Sequence, residues 1–386
     1  MRVGLIMPLA NQRGGAELML MHLLKANKTY GKIDYQVVFL EDGPLAQYAQ
    51  ALGYPVQVFE AGRVRDLHKY IALVFKLRRW IKEQEIDLVM SWMSKAHLYI
   101  GPAALLSGTP AIWWQHGKSG GSLMQKLIHV IPAKAVICCS AAVEREQSVM
   151  TPKLTTKAIY PAIDAEVMNK TITISVDEAR DQLGLPKDKI IVGIAARMQR
   201  WKGVHVFVEA AKLIHEQNKN THFVLIGGEH FSEKEYHTEI KQLITTSGLS
   251  ACTTFGGHQS NPALWMRAFD IVVHASIGFE PFGMVVIEGM ALEKGVIATK
   301  TGGPEEIISD GINGLLIEPN DPSALASAIG RLIEKPSFLQ ELGSKAKLRA
   351  GDFRSERLAE DTADFICSEY NGRVVRRPSH KAKAHG

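Results

Sequence analysis

Short apolar runs alternate with helix-length segments along nearly the whole chain. In the first half the runs RVGLIM, YQVVFL and DLVMSW are separated by longer segments such as AELMLMHLLKAN. Strands of this length with helices between them are typical of βαβ units, whose strands are parallel. The alternation therefore predicts an α/β fold built on a parallel sheet.

The alternation pauses once and then resumes, which divides the chain in two. From Ile159 to Ser175 the sequence has no clear period, and a new strand, KIIVGIAAR, follows. A chain of 386 residues also exceeds the size at which a single hydrophobic core keeps growing. We therefore predict two doubly wound domains, over residues 1–163 and 164–352. Open parallel sheets bind ligands at the carboxyl ends of their strands, so the expected site is a cleft between the domains.

The net charge of +5 comes from the end of the chain. Residues 373–386 contain five Lys or Arg and no acidic residue, so the remainder is close to neutral. This stretch is poor in apolar residues, and we expect a basic, disordered tail over 372–386. We predict no nucleic-acid partner.

Cysteine usage and the apolar segments bear on the compartment. The four cysteines have the spacing of neither a metal site nor a disulfide framework, which fits a reducing cytoplasm. The N-terminus reads as a first strand rather than a secretory signal. Gly-Pro and Ser-Gly-Thr-Pro interrupt the uncharged stretch 98–114 before a spanning helix could form. We expect a cytoplasmic protein without a transmembrane segment.

Two Gly-Gly pairs stand before segments of helical character. Gly14 and Gly15 follow the first strand, and Gly302 and Gly303 precede a proline that suits the first position of a helix. Glycine lets backbone N–H groups approach a ligand, and a helix N-terminus favours phosphate. A plain turn is the alternative for the first pair. Neither GxGxxG nor the P-loop pattern occurs, so nicotinamide and P-loop nucleotide sites lose their main support.

Arg197 and Lys202 follow the first strand of the second domain, in AARMQRWKG. Two cations at the carboxyl end of a strand could hold a diphosphate, Arg by its planar fork and Lys as a mobile point charge. Loop cations that are merely solvated are the alternative. The second glycine pair adds support to a diphosphate site.

His116 follows an apolar strand end in IWWQHG, where it is a candidate catalytic residue or a structural histidine. The motifs of several other chemistries are missing. The chain has no G-x-S-x-G elbow, no H-E-x-x-H, and no two aspartates separated by one residue. A metal site therefore has no support, and no metal or other cofactor is predicted.

Residues 63–82 hold seven Lys or Arg against one Asp, and an apolar stripe at helical spacing is formed by Leu67, Ile71, Val74, Leu77 and Ile81. A basic amphipathic helix of this kind can lie on an anionic membrane surface, at the inner face of the membrane for a cytoplasmic protein. A crossover helix whose apolar stripe covers the sheet is the alternative.

The stretch GFEPFGMVVIEGMA places two carboxylates, Glu280 and Glu288, in otherwise apolar, glycine-bearing surroundings. An ionised carboxylate is seldom fully buried without a partner, because removing water from the charge is costly. Each of the two should therefore meet something polar.

In order along the chain, GGAE, QHG, ARMQRWKG, GFEPFGMVVIEGMA, TGGPEEII and DGINGLLIEPND resemble glycosyltransferase family 4. The resemblance covers about residues 1 to 350 and is more specific in the second domain than in the first. It implies a retaining enzyme of the GT-B fold, in which two Rossmann-like domains face a central cleft. In this fold a C-terminal helix, here 353–371, crosses back to pack on the N-terminal domain.

The resemblance also implies roles for individual residues. Glu280 would meet hydroxyls of the transferred sugar, and Glu288 would bind the nucleotide ribose, so the partners of these carboxylates would be hydroxyls of the donor. The remaining matches are the backbone amides of Phe282, Gly283 and Met284 for sugar and phosphate, Arg197 and Lys202 for the diphosphate, Gly15 approaching the diphosphate from the first domain, and His116 beside the donor sugar. Ala196 stands where a Gly commonly precedes the Arg, and GGEHF at 227–231 differs from the usual G-x-G-P loop, which leaves the nucleobase open.

The implied activity is metal-independent sugar transfer from a nucleotide donor, with a UDP-sugar as the modal choice. The acceptor would be a sugar, a lipid-linked or a small molecule bound mainly by the first domain. Two alternatives stay open on the sequence: an epimerase or phosphorylase of the same fold, and a non-catalytic nucleotide-sugar-binding protein. Whether retention uses an enzyme nucleophile or front-face substitution is also open.

Overall fold

The computed structural model describes residues 1–11, 14–62, 65–118, 123–230 and 232–371; the tail predicted at 372–386 lies outside them. Within these residues the strands form two separate parallel sheets, of seven and six strands. The predicted fold class, two doubly wound α/β domains, is therefore confirmed.

The first sheet has the order β3-β2-β1-β4-β5-β6-β7. Its strands are β1 (Arg2–Met7), β2 (Asp34–Phe39), β3 (Val56–Val58), β4 (Leu88–Trp92), β5 (Ala111–Gln115), β6 (Ala135–Cys138) and β7 (Thr155–Ala158). The helices between them are α1 (Gly15–Tyr30), α2 (Pro44–Ala51), α3 (Leu67–Glu83), α4 (Ser94–Ser107), α5 (Leu123–Val130) and α6 (Ala141–Met150).

The second sheet has the order β10-β9-β8-β11-β12-β13. Its strands are β8 (Ile190–Ala195), β9 (Thr221–Ile226), β10 (Thr253–Gly257), β11 (Ile271–His274), β12 (Gly295–Thr299) and β13 (Leu315–Ile317). The helices are α7 (Ala165–Ile172), α8 (Val176–Leu183), α9 (Val204–Gln217), α10 (Lys234–Thr246), α11 (Pro262–Ala268), α12 (Met284–Ala291), α13 (Pro304–Ile307), α14 (Pro322–Glu334), α15 (Pro336–Ala350) and α16 (Ser355–Asn371).

Each sheet is buried on both faces because successive side chains of a strand point to opposite sides. In β1, Leu5 and Met7 join one hydrophobic cluster, and Ile6 joins the cluster on the other face. In β11, Val272 and Val273 divide in the same way. The strand order reverses beside β1 and β4 in one sheet and beside β8 and β11 in the other, and crevices form at such points.

The chain passes between the domains in two adjacent segments. The amide of Ile163 donates to the carbonyl of Phe353 at 3.0 Å, and the hydroxyl of Ser355 donates to the carbonyl of Ile163 at 2.9 Å. Beyond this point α16 lies in the first domain, with Leu358 and Ile366 in the cluster that contains β1. The domain boundaries at residues 163 and 352 stay predictions.

The basic segment 63–82 forms α3, apart from Arg63 and Val64, which lie outside the described residues. Val74, Leu77 and Ile81 are buried against the first sheet and α4, as expected of a crossover helix. Leu67 and Ile71 of the predicted stripe are instead exposed. No helix among the described residues combines the length and apolarity needed to cross a membrane.

Candidate active site

The loop after β8 brings Lys202 to the end of β11. This loop turns through Gly203, whose φ is +67° and whose Cβ, if present, would lie 1.8 Å from the carbonyl oxygen of Ala275. Only glycine allows that approach without displacing the backbone. The amide of Ile277 donates to the carbonyl of Trp201 at 2.8 Å and ties the two loops together.

Glu280 is almost fully buried, and one of its carboxylate oxygens accepts three hydrogen bonds. Lys202 Nζ lies 2.5 Å, Ser276 Oγ 2.9 Å and His274 Nε2 3.0 Å from Glu280 Oε2. No donor to Oε1 occurs among the residues that the structure describes. The sequence assigned a sugar hydroxyl as the partner of this carboxylate, whereas the fold already supplies three protein partners to one oxygen and leaves the other available.

The charge state of Glu280 follows from these contacts. Burial alone would raise its pKa, but the Lys202 charge and the His274 hydrogen bond together outweigh burial and hold the pKa well below its usual range. Glu280 is therefore ionised at neutral pH.

Glu288 lies one turn after Met284 on α12 and is half-buried. Its carboxylate has no hydrogen-bond or ion-pair partner within the described part of the chain. Burial raises its pKa to about 7. The two carboxylates of this stretch thus have opposite environments, one satisfied by protein donors and one left without them.

The glycine loop before α13 packs on the loop that carries Glu280. Glu280 donates its amide to Thr301 and accepts at its carbonyl from the amide of Gly303, at 2.8 and 2.9 Å. A Cβ at Gly303 would lie 2.2 Å from the Cα of Phe282. The helix behind this pair, α13, has only four residues, so its terminal dipole is weak. The predicted donor contacts of Gly302 and Gly303 stay predictions. Gly303 is needed there for close packing.

Gly15 and Met284 meet across the cleft. A Cβ at Gly15 would lie 3.2 Å from Met284 Cγ, so the N-terminus of α1 reaches the N-terminus of α12. Trp92 Nε1 donates to the carbonyl of Ala16 at 3.0 Å and fixes the start of α1. Gly283, at φ +99°, is the N-cap residue that immediately precedes α12.

His116 lies in an aromatic stack at the end of β5. Its ring is parallel to that of Trp114, with centroids 5.7 Å apart, and 4.8 Å from the ring of Trp92. Burial lowers its pKa, and its Nε2 is buried without a hydrogen-bond partner among the described residues. The imidazole is therefore neutral and suited to a single hydrogen bond rather than to carrying a proton. Lys118, two residues on, lies over the ring of Phe279 from the second domain.

Arg197 follows β8, and its side chain is exposed. Backbone hydrogen bonds within the intervening loop are what connects Arg197 to Lys202 in the described structure. The guanidinium of Arg197 forms no ion pair within the described ranges. Arg197 is therefore an exposed cation on the same loop as Lys202.

Sequence reasoning missed two features of this region. His274, Ser276 and Thr299 form a buried polar group beside Glu280. Glu306 reaches the first domain, where its carboxylate accepts hydrogen bonds from the amides of Ala141 and Ala142 at 2.8 and 2.5 Å. The available signal for the first was a His and a Ser two residues apart at a strand end, positions that face the same side.

No cluster of three or more His, Cys, Asp or Glu that could hold a metal ion occurs in the described residues. What the site offers is an ionised buried carboxylate, an unpartnered carboxylate, two cations and a neutral imidazole. Such groups can bind hydroxyls and phosphates.

Comparisons with known proteins agree with this description. Residues 175–349 match the family described as Glycosyl transferases group 1, and residues 13–167 match Glycosyltransferase Family 4. The D-inositol 3-phosphate glycosyltransferase of Arthrobacter sp. (strain FB24) is 31% identical over 207 residues, which are 53% of this chain and 48% of the relative. The chain thus matches about half the length of this curated relative.

Among solved structures, HepE of Anabaena in complex with UDP and glucose has a TM-score of 0.82 and 26% identity, covering 95% of this chain and 100% of HepE. A glycosyltransferase of Rickettsia africae ESF-5 has a TM-score of 0.84 at 20% identity, covering 96% of this chain and 99% of that protein, a likeness of fold.

The two parallel-sheet domains have the GT-B fold of the structurally similar glycosyltransferases. The two family matches together cover most of the chain, which belongs to the family 4 type of these enzymes.

Proposed function

We propose that the protein moves a sugar from a UDP-sugar to an acceptor hydroxyl, with retention of anomeric configuration and without a metal ion. The observations that support this most are the buried Lys202–Glu280 pair and the carboxylate of Glu288 on the following helix, which has no partner among the described residues. The complexes of HepE with UDP and with UDP-glucose favour uridine as the nucleoside.

Each group has a part in donor binding. Glu280 Oε1 accepts a hydroxyl of the sugar, and Glu288 accepts the ribose hydroxyls. Lys202 carries three N–H donors on a flexible side chain, so it can turn from Glu280 toward a phosphate oxygen. Arg197 binds the diphosphate from the other side, and the free amides at the start of α12 add hydrogen bonds.

The reaction needs stabilisation of a leaving nucleoside diphosphate. The bond from the anomeric carbon to the phosphate oxygen breaks, the acceptor oxygen bonds to that carbon, and the acceptor proton passes to the phosphate. Negative charge grows on the diphosphate, and fixed cations and amides stabilise it more in the transition state than before. Lys202 and Arg197 supply this charge, and His116, being neutral, contributes a hydrogen bond to the sugar.

The acceptor belongs to the first domain in this proposal, and α3 bears on its source. Leu67, Ile71 and Phe75 recur at four-residue spacing and are about half exposed or more, and the same helix carries Arg78 and Lys82 further along. An apolar row followed by cations suits an anionic membrane surface, which would present a lipid-linked acceptor. Sedimentation with anionic vesicles, compared between the wild type and a variant with Lys76, Arg78 and Arg79 changed to Glu, tests the contact.

The activity itself is tested with a panel of nucleotide sugars, a host extract as acceptor source and mass spectrometry of the products, with and without EDTA. We expect one UDP-sugar to give a glycosylated product at the same rate in EDTA, with the donor's anomeric configuration by NMR. Conversion of donor alone into an epimer, or binding without turnover, would refute the proposal.

A further inference from the structure

We propose that His274 is a positioning residue that holds the Glu280 carboxylate in its sugar-binding orientation when Lys202 turns to the phosphates. The inference rests on the proposed function of Glu280. It concerns a histidine that lies at the end of β11, is 4% exposed, and contacts no cleft cation directly in the structure.

The position of His274 follows from strand geometry. Alternate residues at the end of β11 face the same side, so His274 and Ser276 both point to the loop that carries Glu280. Thr299, at the end of the neighbouring strand β12, donates its hydroxyl to the carbonyl of Ser276 at 2.7 Å. These three side chains are buried, and together they form a rigid support under the carboxylate.

The hydrogen on the imidazole can be placed from its neighbours. An ionised carboxylate accepts and cannot donate, so the contact of 3.0 Å with Glu280 Oε2 requires a hydrogen on His274 Nε2. Thr299 has already used its only hydrogen on the Ser276 carbonyl, and its oxygen lies 3.4 Å from His274 Nδ1. His274 is thus a donor toward Glu280 in either charge state.

The three donors on Glu280 Oε2 differ in what they can do later. Lys202 lies on a flexible side chain, is partly exposed, and is the group that a diphosphate would attract. His274 and Ser276 have short side chains in a buried site and cannot follow. When Lys202 moves toward the phosphates, these two keep Oε2 in place, and Oε1 continues to face the sugar.

A double-mutant cycle tests this role, with UDP and UDP-glucose as binding probes and UDP release as the measure of turnover. His274→Phe removes the donor and keeps a ring of similar size. We expect this variant to bind UDP within twofold of the wild-type affinity. Turnover should fall by about tenfold or more, and the ratio of UDP-glucose affinity to UDP affinity should fall by a similar factor. His274→Gln, whose amide nitrogen falls near the place of Nε2, should recover most of this loss.

The Glu280→Gln background separates a positioning role from a structural one. If His274 acts through Glu280, His274→Phe causes little further loss in that background. An equal loss in both backgrounds, or an equal fall in UDP and UDP-glucose affinity, would overturn the inference. If Glu280→Gln itself leaves turnover and UDP-glucose binding unchanged, the assigned role of Glu280 fails instead.

A crystal structure of the His274→Phe variant with UDP bound, whose diphosphate draws Lys202 away from Glu280, gives a measure that needs no turnover. We expect the Glu280 side chain to change rotamer or occupy two, with the backbone of β11 unmoved. An unchanged Glu280 conformer would refute the role. His222→Phe is the matched control, because His222 lies at the other end of the same sheet and its side chain bonds Thr254 Oγ1, at 2.8 Å, rather than any group of the cleft described above.

Discussion

Replacing Lys202 by methionine removes the cation from the buried Glu280 carboxylate and keeps the length of the side chain. The ammonium lies 2.5 Å from Oε2, and the two side chains are 18% and 8% exposed. At an effective dielectric constant of 20, the Coulomb attraction at that distance is about 7 kcal/mol, most of which offsets the removal of both charges from water. Taking away one partner leaves the other charge buried, so we expect a loss of about 3 kcal/mol in the free energy of unfolding.

The pH dependence of this loss has a defined sign. The folded-state pKa of Glu280 is depressed, so its stabilisation is present above the unfolded value near 4 and is lost as pH falls toward the lower folded value. The difference between the wild type and Lys202→Met should therefore be full at pH 7 and smaller at pH 4, because burial without the cation raises the pKa of the variant's carboxyl above its usual value near 4 and protonates it.

Urea unfolding followed by circular dichroism at pH 4 and pH 7 measures the effect. Lys300→Met is the control, because the side chains of the Lys300–Glu318 pair are 41% and 66% exposed. Losing this pair should lower the free energy of unfolding by about 0.5 kcal/mol or less. A loss for Lys202→Met no larger than for Lys300→Met, or one that is the same at both pH values, would refute the assignment of a buried, charge-dependent pair.

Three further predictions concern the same cleft. Burial raises the pKa of Glu288 to about 7, so its contribution to the free energy of unfolding falls as pH rises from about 4 to 8, and Glu288→Gln lacks this loss. A difference in the free energy of unfolding between the wild type and Glu288→Gln that changes by less than about 2 kcal/mol over this range would contradict the prediction. Gly203→Ala should lower the free energy of unfolding by about 3 kcal/mol, and Gly311→Ala, where φ is positive but no atom is close, should lower it by about 1 kcal/mol. Equal shifts in the melting temperatures of the two variants would exclude the steric explanation. Arg197→Ala should weaken UDP binding about tenfold by calorimetry without changing the melting temperature, and turnover within twofold of the wild type would exclude its diphosphate role.

The sequence was sufficient for the fold because the signal is local and repeated. Runs such as DIVVHAS and GVIAT, separated by helix-length segments, specify parallel strands wherever they occur, and both sheets are confirmed. The glycosyltransferase class, taken from motif order, is confirmed by the family matches. Lys202 and Glu280 could be placed in one site by resemblance, although they are 78 positions apart.

The contacts that tune the site could not be predicted in this way. His274 reads as one polar residue at the end of an apolar strand, and its partners come from Ser276 on the same chain segment and Thr299 on the next strand. Glu306 reads as the second acid of a helix start, and its two hydrogen bonds are to backbone amides more than 160 residues away. Such roles depend on how two packed domains meet, which no local pattern encodes.

The two carboxylates that began as one sequence anomaly have different dependence on ligand. Glu280 receives three protein donors on one oxygen, which favour its ionised form, so its other oxygen is an acceptor that needs no reorganisation. Glu288 receives none from the described residues, and its pKa near 7 leaves it divided between two charge states. Hydroxyl donors bind the ionised form, so ribose hydroxyls would supply the hydrogen bonds that no described residue gives to this carboxylate. The protein thus prepares the sugar contact in advance and leaves the nucleoside contact to be formed by the ligand.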